Sequence, residues 1–204
     1  MSVERRTPVI GLTGGIGAGK SAVARILAEL GGVVSDSDRD TSEILRMPDV
    51  IETMRGWWGE GVVDDEGVID RGEIAQRVFT DSAARRRLEE LIHPLVHERR
   101  HARFAQSPAD TRMFVIDAPL LFEAALQDEC DTVWFVDAPI DVRRERVRVH
   151  RGWSEEELDR RESSQWPIEE KRRRSDVILD NGGPLEKLEV RVREALAAMA
   201  RDDS

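Results

Sequence analysis

The length and composition of the chain describe one sizeable globular domain. It has 204 residues, of which 40% are hydrophobic and 35% are charged, so a single core with a heavily ionic surface is expected. The 41 acidic residues outnumber the 31 Lys and Arg residues and give a formal net charge of −10. This excess excludes a protein that coats nucleic acid through bulk positive charge, so we expect no nucleic-acid partner.

Cysteine content and hydropathy indicate a cytoplasmic location. Cys130 is the only cysteine, which rules out an internal disulfide framework and fits a reducing compartment. No stretch approaches the roughly 18 consecutive apolar residues of a membrane helix, and the N-terminus lacks the apolar segment of a secretion signal. We therefore expect a cytoplasmic protein without a membrane partner.

Short apolar runs alternate with amphipathic segments, which predicts parallel strands joined by crossover helices. Apolar runs without alternation are typical of strands that are buried on both faces. The five predicted strands lie around residues 9–12, 33–34, 113–116, 133–136 and 177–179. The predicted helices cover residues 21–30, 40–57, 71–79, 82–106, 140–149 and 184–201, and a turn-rich excursion covers 56–72. The pattern predicts an α/β fold with a five-stranded parallel sheet.

A glycine-rich loop follows the first predicted strand. Residues 14–21 read GGIGAGKS and match the pattern G-x-x-x-x-G-K-[ST] in full. Glycines allow successive N–H groups to face phosphate oxygens, and the next helix offers its positive N-terminal end. Lys20 is then placed for the β- and γ-phosphates and the Ser21 hydroxyl for a magnesium ion. We predict a nucleoside triphosphate site rather than an ordinary flexible turn.

Three other nucleotide-binding classes are disfavoured by the sequence. Residues 17–22 also fit the dinucleotide fingerprint G-x-G-x-x-A, which would indicate an NAD enzyme. In that fingerprint the glycines follow the strand at once, whereas Gly14, Gly15 and Ile16 intervene here. The chain also lacks the Asn-Lys-x-Asp element of a guanine-specific switch and the LSGGQ stretch of a transporter ATPase. A small-molecule kinase is the favoured class.

Acidic residues follow two further predicted strands. Asp36 and Asp38 come after the second strand and Asp117 after the third, at the sheet edge where open α/β proteins bind ligands. A carboxylate there can accept the proton of an attacking hydroxyl, and we assign this role to Asp38, with capping of the next helix as the alternative. Asp117 is predicted to contact metal or substrate, with a turn before Pro119 as the alternative.

Basic residues concentrate between residues 143 and 174, where ten Arg and one Lys face eight acids. One or two of these arginines are predicted to stabilise the transferring phosphates, and the others to form a solvated face. Residues 152–154 are predicted to be a hinge and the cap of a short lid helix.

His93, His97 and His101 recur at helical spacing. They spread over ~12 Å of helix, so a surface or packing role is favoured over a metal site.

The motifs and their order resemble those of a known kinase family. They are Ile10–Ser21, Leu30-Gly31, Asp36-x-Asp38, His93-Pro94, Asp117-x-Pro119-Leu120-Leu121-x-Glu123, an Arg-bearing segment that ends in Gln165, Lys171, and Asp176 through Asp180-Asn181-x-Gly183. This series covers nearly the whole chain and is similar to that of the dephospho-coenzyme A kinases. The resemblance implies ATP-dependent phosphorylation of the ribose 3′-hydroxyl of dephospho-coenzyme A, the last step of coenzyme A synthesis.

The resemblance also implies a three-part organisation and a set of site residues. The parts are a core (about 7–38, 110–149 and 175–204), a helical substrate-binding region (about 39–109) and a lid (about 150–174). Asp38 is implied as the base, and Lys20 and Arg146 as the groups that stabilise the transferring phosphate. The residues implied to bind ATP are Gly15, Ile16, Gly17, Ala18, Gly19, Lys20, Ser21, Ala22, Asn181 and Gly183. Those implied to bind substrate are Asp36, Asp38, His93, Asp117, Pro119 and Leu120, and those implied to hold Mg²⁺ are Ser21 and Asp117.

Two alternatives remain open at this point. The first is a related kinase that acts on a nucleoside monophosphate or a small polyol, which a panel of acceptors distinguishes. The second is a nucleotide-binding switch, which binds ATP and phosphorylates no acceptor. Asp36, Asp38 and Asp117 favour turnover over a switch. We expect a monomer or a weak homo-oligomer with a small-molecule substrate.

Overall fold

The computed structural model describes residues 6–64 and 66–202 and contains the predicted sheet. All five strands are parallel and stand in the order β2-β3-β1-β4-β5. The strands are β1 (Val9–Gly14), β2 (Gly32–Asp36), β3 (Met113–Asp117), β4 (Thr132–Asp137) and β5 (Val177–Asp180). The predicted α/β fold is therefore confirmed, and each predicted strand is present.

Strand β1 is central and sets the register of the sheet. Its Leu12 lies opposite Asp117 of β3, and its Gly14 lies opposite Val136 of β4. Leu12, Trp134 and Val136 are fully buried, as expected for parallel strands that are covered on both faces. The carboxyl ends of the strands consequently meet at one edge, from which the glycine-rich loop leaves β1.

The described residues contain nine α-helices, the last of which follows β5. They are α1 (Lys20–Glu29), α2 (Ser37–Ile44), α3 (Pro48–Trp58), α4 (Arg71–Thr80), α5 (Ser82–Ala105), α6 (Ile140–Arg151), α7 (Glu155–Glu162), α8 (Ile168–Arg173) and α9 (Leu185–Asp202). The predicted cap of the short helix is confirmed, because the Ser154 hydroxyl accepts a hydrogen bond from the N–H of Glu157 at the start of α7.

The chain forms two compact units, each with its own hydrophobic core. The first unit contains residues 6–35 and 107–202, and the second contains residues 36–106. In the first, α1 and α9 pack on the sheet, and Ile26, Leu27 and Val192 are among their buried side chains. In the second, helices α2 to α5 enclose a separate cluster that includes Ile44 and Met54. Hydrophobic burial therefore stabilises the two units separately.

The prediction of one helix over residues 40–57 is wrong, because α2 ends at Ile44 and α3 begins at Pro48. Proline is compatible with the first turn of a helix, where its missing N–H costs nothing, but it does not continue a preceding one. The turn-rich excursion begins at Gly59 rather than Gly56, which lies within α3. Helix α8 was not predicted. None of the helices in the described segments is long and apolar enough to span a bilayer.

Candidate active site

The glycine-rich loop occupies the turn between β1 and α1. Gly19 caps α1 in the left-handed conformation with a φ of 97°. A Cβ atom added to Gly19 would lie 2.2 Å from Nδ2 of Asn181, and one added to Gly14 would lie 2.5 Å from the carbonyl oxygen of Val136. Both positions therefore require glycine, for reasons of backbone conformation and of close approach.

Arg146 and Asn181 hold one side of this loop. The Arg146 guanidinium donates from Nη1 to the carbonyl oxygen of Ala18 at 3.2 Å and from Nη2 to that of Asn181 at 2.9 Å. The Asn181 amide donates to the same Ala18 oxygen at 2.7 Å. Because a trans peptide is planar, fixing the Ala18 carbonyl directs the N–H of Gly19 away from both side chains. Both predicted residues thus contact the loop itself.

Lys20 and Ser21 form the first turn of α1. Lys20 is half-buried, and the Ser21 side chain is exposed. The first N–H groups of a helix have no partner within the helix, and the helix dipole places partial positive charge there. This turn and the loop therefore form a site suited to phosphate groups.

Asp117 ends β3 at the same sheet edge. It is 7% exposed and lies opposite Leu12, the β1 residue two positions before the loop begins at Gly14. A serine hydroxyl and a carboxylate are oxygen ligands of the kind that Mg²⁺ prefers. Ser21 and Asp117 therefore fit a magnesium ion by the chemistry of their donor atoms.

A buried lysine anchors the chain that follows Asp117. Lys171 of α8 is 1% exposed, and its Nζ donates to the carbonyl oxygen of Pro119 at 2.9 Å and to Oε1 of Gln165 at 3.1 Å. The same Nζ lies 2.7 Å from the Glu123 carboxylate. The three hydrogens of the ammonium group thus have three acceptors. Leu120 lies within the anchored segment and is 46% exposed.

Asp36 and Asp38 differ in the structural roles of their side chains. Asp36 ends β2 and caps α2, since its carboxylate accepts a hydrogen bond of 3.0 Å from the N–H of Arg39. Asp38 lies in the first turn of α2 with an exposed side chain. Capping, the alternative function considered for Asp38, is therefore performed by Asp36.

Helix α2 is joined to α5 by an ion pair whose carboxylate is buried. The side chain of Asp40 is fully buried and accepts two hydrogen bonds from Arg103, at 2.7 and 2.8 Å. This side-chain hydrogen bonding raises the pKa of Arg103 above its ordinary value, against the opposing effect of desolvation. The bidentate geometry fixes the orientation of α2 on α5 within the second unit.

The histidines occupy an exposed face of α5. His93 lies beside Pro94 in a shallow depression that is also lined by Arg86 and Glu90. The rings of His97 and His101 contact each other, with centroids 4.0 Å apart. The predicted surface location of these residues agrees with the structure, and the substrate contact assigned to His93 remains a prediction.

Comparison with known proteins identifies the family. The family model described as dephospho-CoA kinase (CoaE) matches residues 8–187. The dephospho-CoA kinase of Deinococcus radiodurans is 43% identical over 188 residues, which are 92% of this chain and 90% of that protein. The chain belongs to the dephospho-CoA kinase family. The resemblance inferred from the order of the motifs is confirmed, and the reaction class is phosphoryl transfer to an alcohol group.

Solved structures share the fold of this chain. A crystal structure from Thermus thermophilus matches with a TM-score of 0.84 and 35% identity, and the match covers 96% of this chain and 98% of that one. A shikimate kinase from Acinetobacter baumannii is 16% identical with a TM-score of 0.55, over 96% of this chain and 94% of its own. The shikimate kinase shares the fold alone.

Sequence reasoning missed one part of the loop environment. Glu162 of α7 accepts a hydrogen bond of 3.0 Å from the N–H of Ile16 and forms an ion pair with Arg143 of α6. Nothing in the sequence separates Glu162 from Glu157 and Glu170, whose ion pairs are local. Lys171, in contrast, could be singled out from the sequence, because it is one of three lysines in a chain whose other basic residues are mostly arginine.

Proposed function

We propose that the protein transfers the γ-phosphoryl group of ATP to the ribose 3′-hydroxyl of dephospho-CoA, with Asp38 as the general base. Family membership establishes phosphorylation of dephospho-CoA with ATP, in coenzyme A biosynthesis. The position of the acceptor hydroxyl and the roles of the individual residues belong to the proposal. The observation that carries it is the loop at the carboxyl edge of the sheet, which Arg146 and Asn181 hold with the N–H of Gly19 directed away from them.

The loop supplies the binding site for the triphosphate. The N–H of Gly19 and the N-terminal end of α1 stabilise the phosphate charge, and Lys20 neutralises charge on the β- and γ-phosphates as the transition state forms. Ser21 and Asp117 would hold a magnesium ion, which would supply positive charge that compensates the phosphate groups. Arg146 contributes to triphosphate binding by holding the loop. Asn181 and Gly183 are assigned to the border of the adenine site.

The second unit supplies the acceptor side. Because β2 is parallel to β1 and β3, its carboxyl end lies at the sheet edge from which the loop leaves β1. We assign contacts with dephospho-CoA to Asp36, Asp38 and His93 of the helical region that follows β2. We assign further substrate contacts to Asp117, Pro119 and Leu120.

The chemical step is an in-line displacement. The 3′-oxygen forms a bond to the γ-phosphorus, the bond between this phosphorus and the β–γ bridging oxygen breaks, and ADP leaves. The proton of the hydroxyl passes to the Asp38 carboxylate, whose exposed position in the first turn of α2 permits this contact. We further propose that the protein works in the cytoplasm, with Mg²⁺ as cofactor, as a monomer or weak homo-oligomer.

The variant Asp38→Asn tests the assignment of the base. We expect turnover of dephospho-CoA to fall by at least ~100-fold, because positioned acid–base chemistry contributes about that much. The dissociation constant of ATP is expected to stay within about twofold, since Asp38 is assigned to the hydroxyl rather than to the triphosphate. Coupled measurement of ADP release and calorimetric titration of ATP provide the two values.

A matched control comes from α3. Asp49 is also an exposed acid in the first turn of its helix, so Asp49→Asn makes the same chemical change without an assigned role and is expected to keep full activity. Near-normal turnover of Asp38→Asn would remove Asp38 from the mechanism. Transfer to another alcohol in an acceptor panel, with none to dephospho-CoA, would contradict the acceptor.

A further inference from the structure

An ion pair binds both backbone polar groups of Ile16, a residue of the phosphate-binding loop. The N–H of Ile16 donates to Oε1 of Glu162 at 3.0 Å, and the carbonyl oxygen of Ile16 accepts from Nη1 of Arg143 at 3.2 Å. Arg143 and Glu162 also form a hydrogen-bonded ion pair with each other. Their side chains are only 8% and 17% exposed. Arg143, Glu162 and the Ile16 backbone therefore form a closed, largely buried triangle, which we call the loop clamp.

The loop clamp lies on a side of the loop that is packed against protein. A Cβ atom added to Gly15 would lie 3.0 Å from Nη1 of Arg143 and 3.2 Å from Cδ1 of Ile168. A Cβ atom added to Gly17 would lie 2.8 Å from the carbonyl oxygen of Arg143. Side chains and backbone of α6 and α8 thus fill this side. The Glu162 carboxylate is consequently a support of the loop and not a substitute for a phosphate.

We infer that the loop clamp preorganises the loop for ATP, and that Glu162 and Arg143 are positioning residues for the nucleotide. Bonding the N–H and the C=O of Ile16 fixes two successive peptide planes, 15–16 and 16–17. The neighbours of Ile16 are glycines, which lose more conformational entropy on ordering than other residues do. Fixing these peptides before ATP arrives removes that cost from binding.

The loop clamp also connects the nucleotide site to the predicted lid. Glu162 is the last residue of α7 and Arg143 lies in the first turn of α6, so one ion pair joins three segments that are distant along the chain. Both groups are charged and poorly exposed, so each depends on the other for compensation. Because both side chains contact the phosphate-binding loop, we expect their substitution to change the affinity for the nucleotide and not the affinity for dephospho-CoA.

The test compares three changes at the loop clamp by titration of the full-length protein with ADP and Mg²⁺. Glu162→Leu removes the acceptor and is expected to weaken ADP binding by about tenfold, the effect of losing one charge-assisted hydrogen bond. Glu162→Gln keeps an oxygen for the N–H of Ile16 and is expected to stay within about threefold. The dissociation constant of dephospho-CoA is expected to change less than about twofold in both variants.

The double variant Arg143→Met with Glu162→Leu separates positioning from stability. Replacing both charges by apolar groups leaves no uncompensated buried charge, so its thermal midpoint is expected to recover relative to Glu162→Leu. Its affinity for ADP is expected to remain about tenfold below that of the wild type, because the N–H of Ile16 still has no Glu162 carboxylate to bind. Glu157→Leu on the same helix removes a glutamate that pairs with Arg160 and Arg161, and it is expected to bind ADP normally.

Two results would overturn the inference. Normal ADP affinity in a folded double variant would show that the loop is ordered without the loop clamp. Tighter ADP binding by Glu162→Leu would show that this carboxylate competes with phosphate instead of supporting the loop. Neither outcome depends on the identity of the acceptor alcohol, so the loop clamp and the proposed reaction fail independently.

Discussion

Gly19 carries two separate constraints, which make this residue of the loop sensitive to substitution. Its φ of 97° belongs to the left-handed region, and an added Cβ atom would meet the Asn181 amide at 2.2 Å. We expect Gly19→Ala to weaken ATP binding by at least about tenfold, because strain of roughly 1–3 kcal/mol disfavours the bound form of the loop. Calorimetric titration with ATP measures the effect.

Gly56→Ala is the matched control for Gly19→Ala. Gly56 lies within α3. Apart from its chain neighbours and the backbone of its own helix, no heavy atom of a described residue would lie within 4 Å of its added Cβ atom. Alanine favours a helix over glycine by roughly 0.5–1 kcal/mol, so this variant is expected to bind ATP normally with an unchanged or raised thermal midpoint. Equal ATP affinity of the two variants would contradict the constraint at Gly19.

Single residues were predictable where a motif encodes local geometry. The loop from Gly14 to Ser21 is such a case, since its pattern specifies the turn and the helix start together. The support of the loop was not predictable, because Ile16 and Glu162 are 146 positions apart. The phosphate role of Arg146 came from the family resemblance, whereas its guanidinium contacts the carbonyl oxygens of the loop, so that role stays a prediction.

At the scale of elements, Lys171 ties α8 to the segment after β3. We expect Lys171→Met to lower the free energy of unfolding by about 3–5 kcal/mol, because removal of one partner leaves the Glu123 carboxylate uncompensated in a poorly exposed site. Urea denaturation measures the loss. Lys187→Met in α9 removes an exposed lysine and is expected to cost less than about 0.5 kcal/mol.

The activity of Lys171→Met gives a second measure of the same contact. Pro119 loses a hydrogen-bond donor in this variant, so the segment that begins at Asp117 is expected to become less ordered and turnover to fall. Addition of Glu123→Leu removes the uncompensated carboxylate and is expected to restore stability but not turnover. A single variant as stable as the wild type would show that this ion pair is not a net contributor.

Strands were better predicted than helices, for a physical reason. A strand buried on both faces leaves a continuous apolar run such as residues 133–136, and the short length of the run favours a strand over a helix. The boundary between α2 and α3 lies within a segment of continuous helical character, and the break depends on the backbone conformation at Met47, before Pro48. Helix α8 has six residues, mostly charged, and its only buried side chain is Lys171. Hydrophobic periodicity therefore did not indicate α8.

At the scale of the whole molecule, the proposed nucleotide site and the proposed base lie in different units. The loop, Arg146, Asn181 and the loop clamp belong to the first unit, whereas Asp38 and its support by Asp40 belong to the second. Variants at Gly19 and Glu162 are consequently expected to alter nucleotide affinity, and Asp38→Asn to alter turnover. We expect affinity and turnover to change separately, because the residues assigned to each lie in different units.

The acidic surface makes the stability of the whole molecule depend on pH. Hydrogen bonds from Arg148 to Glu145, from Arg160 to Glu157 and from Arg173 to Glu170 lower the pKa of each glutamate below 4.5. A folded-state pKa below the unfolded value stabilises the protein above pH 4.5. This contribution is lost as the pH falls through the folded-state values. The urea midpoint is therefore expected to decrease on acidification.

Two triple variants isolate this contribution from that of net charge. Glu145→Gln with Glu157→Gln and Glu170→Gln removes the three paired carboxylates, so its urea midpoint is expected to fall less steeply than that of the wild type between about pH 5 and 3. Glu186→Gln with Glu189→Gln and Glu194→Gln in α9 removes the same total charge and is expected to keep the wild-type slope. The difference between the variants should shrink in about 1 M salt, because the pairs are exposed and therefore screened. Identical slopes for the two triple variants at low salt would show that net charge alone governs the acid transition.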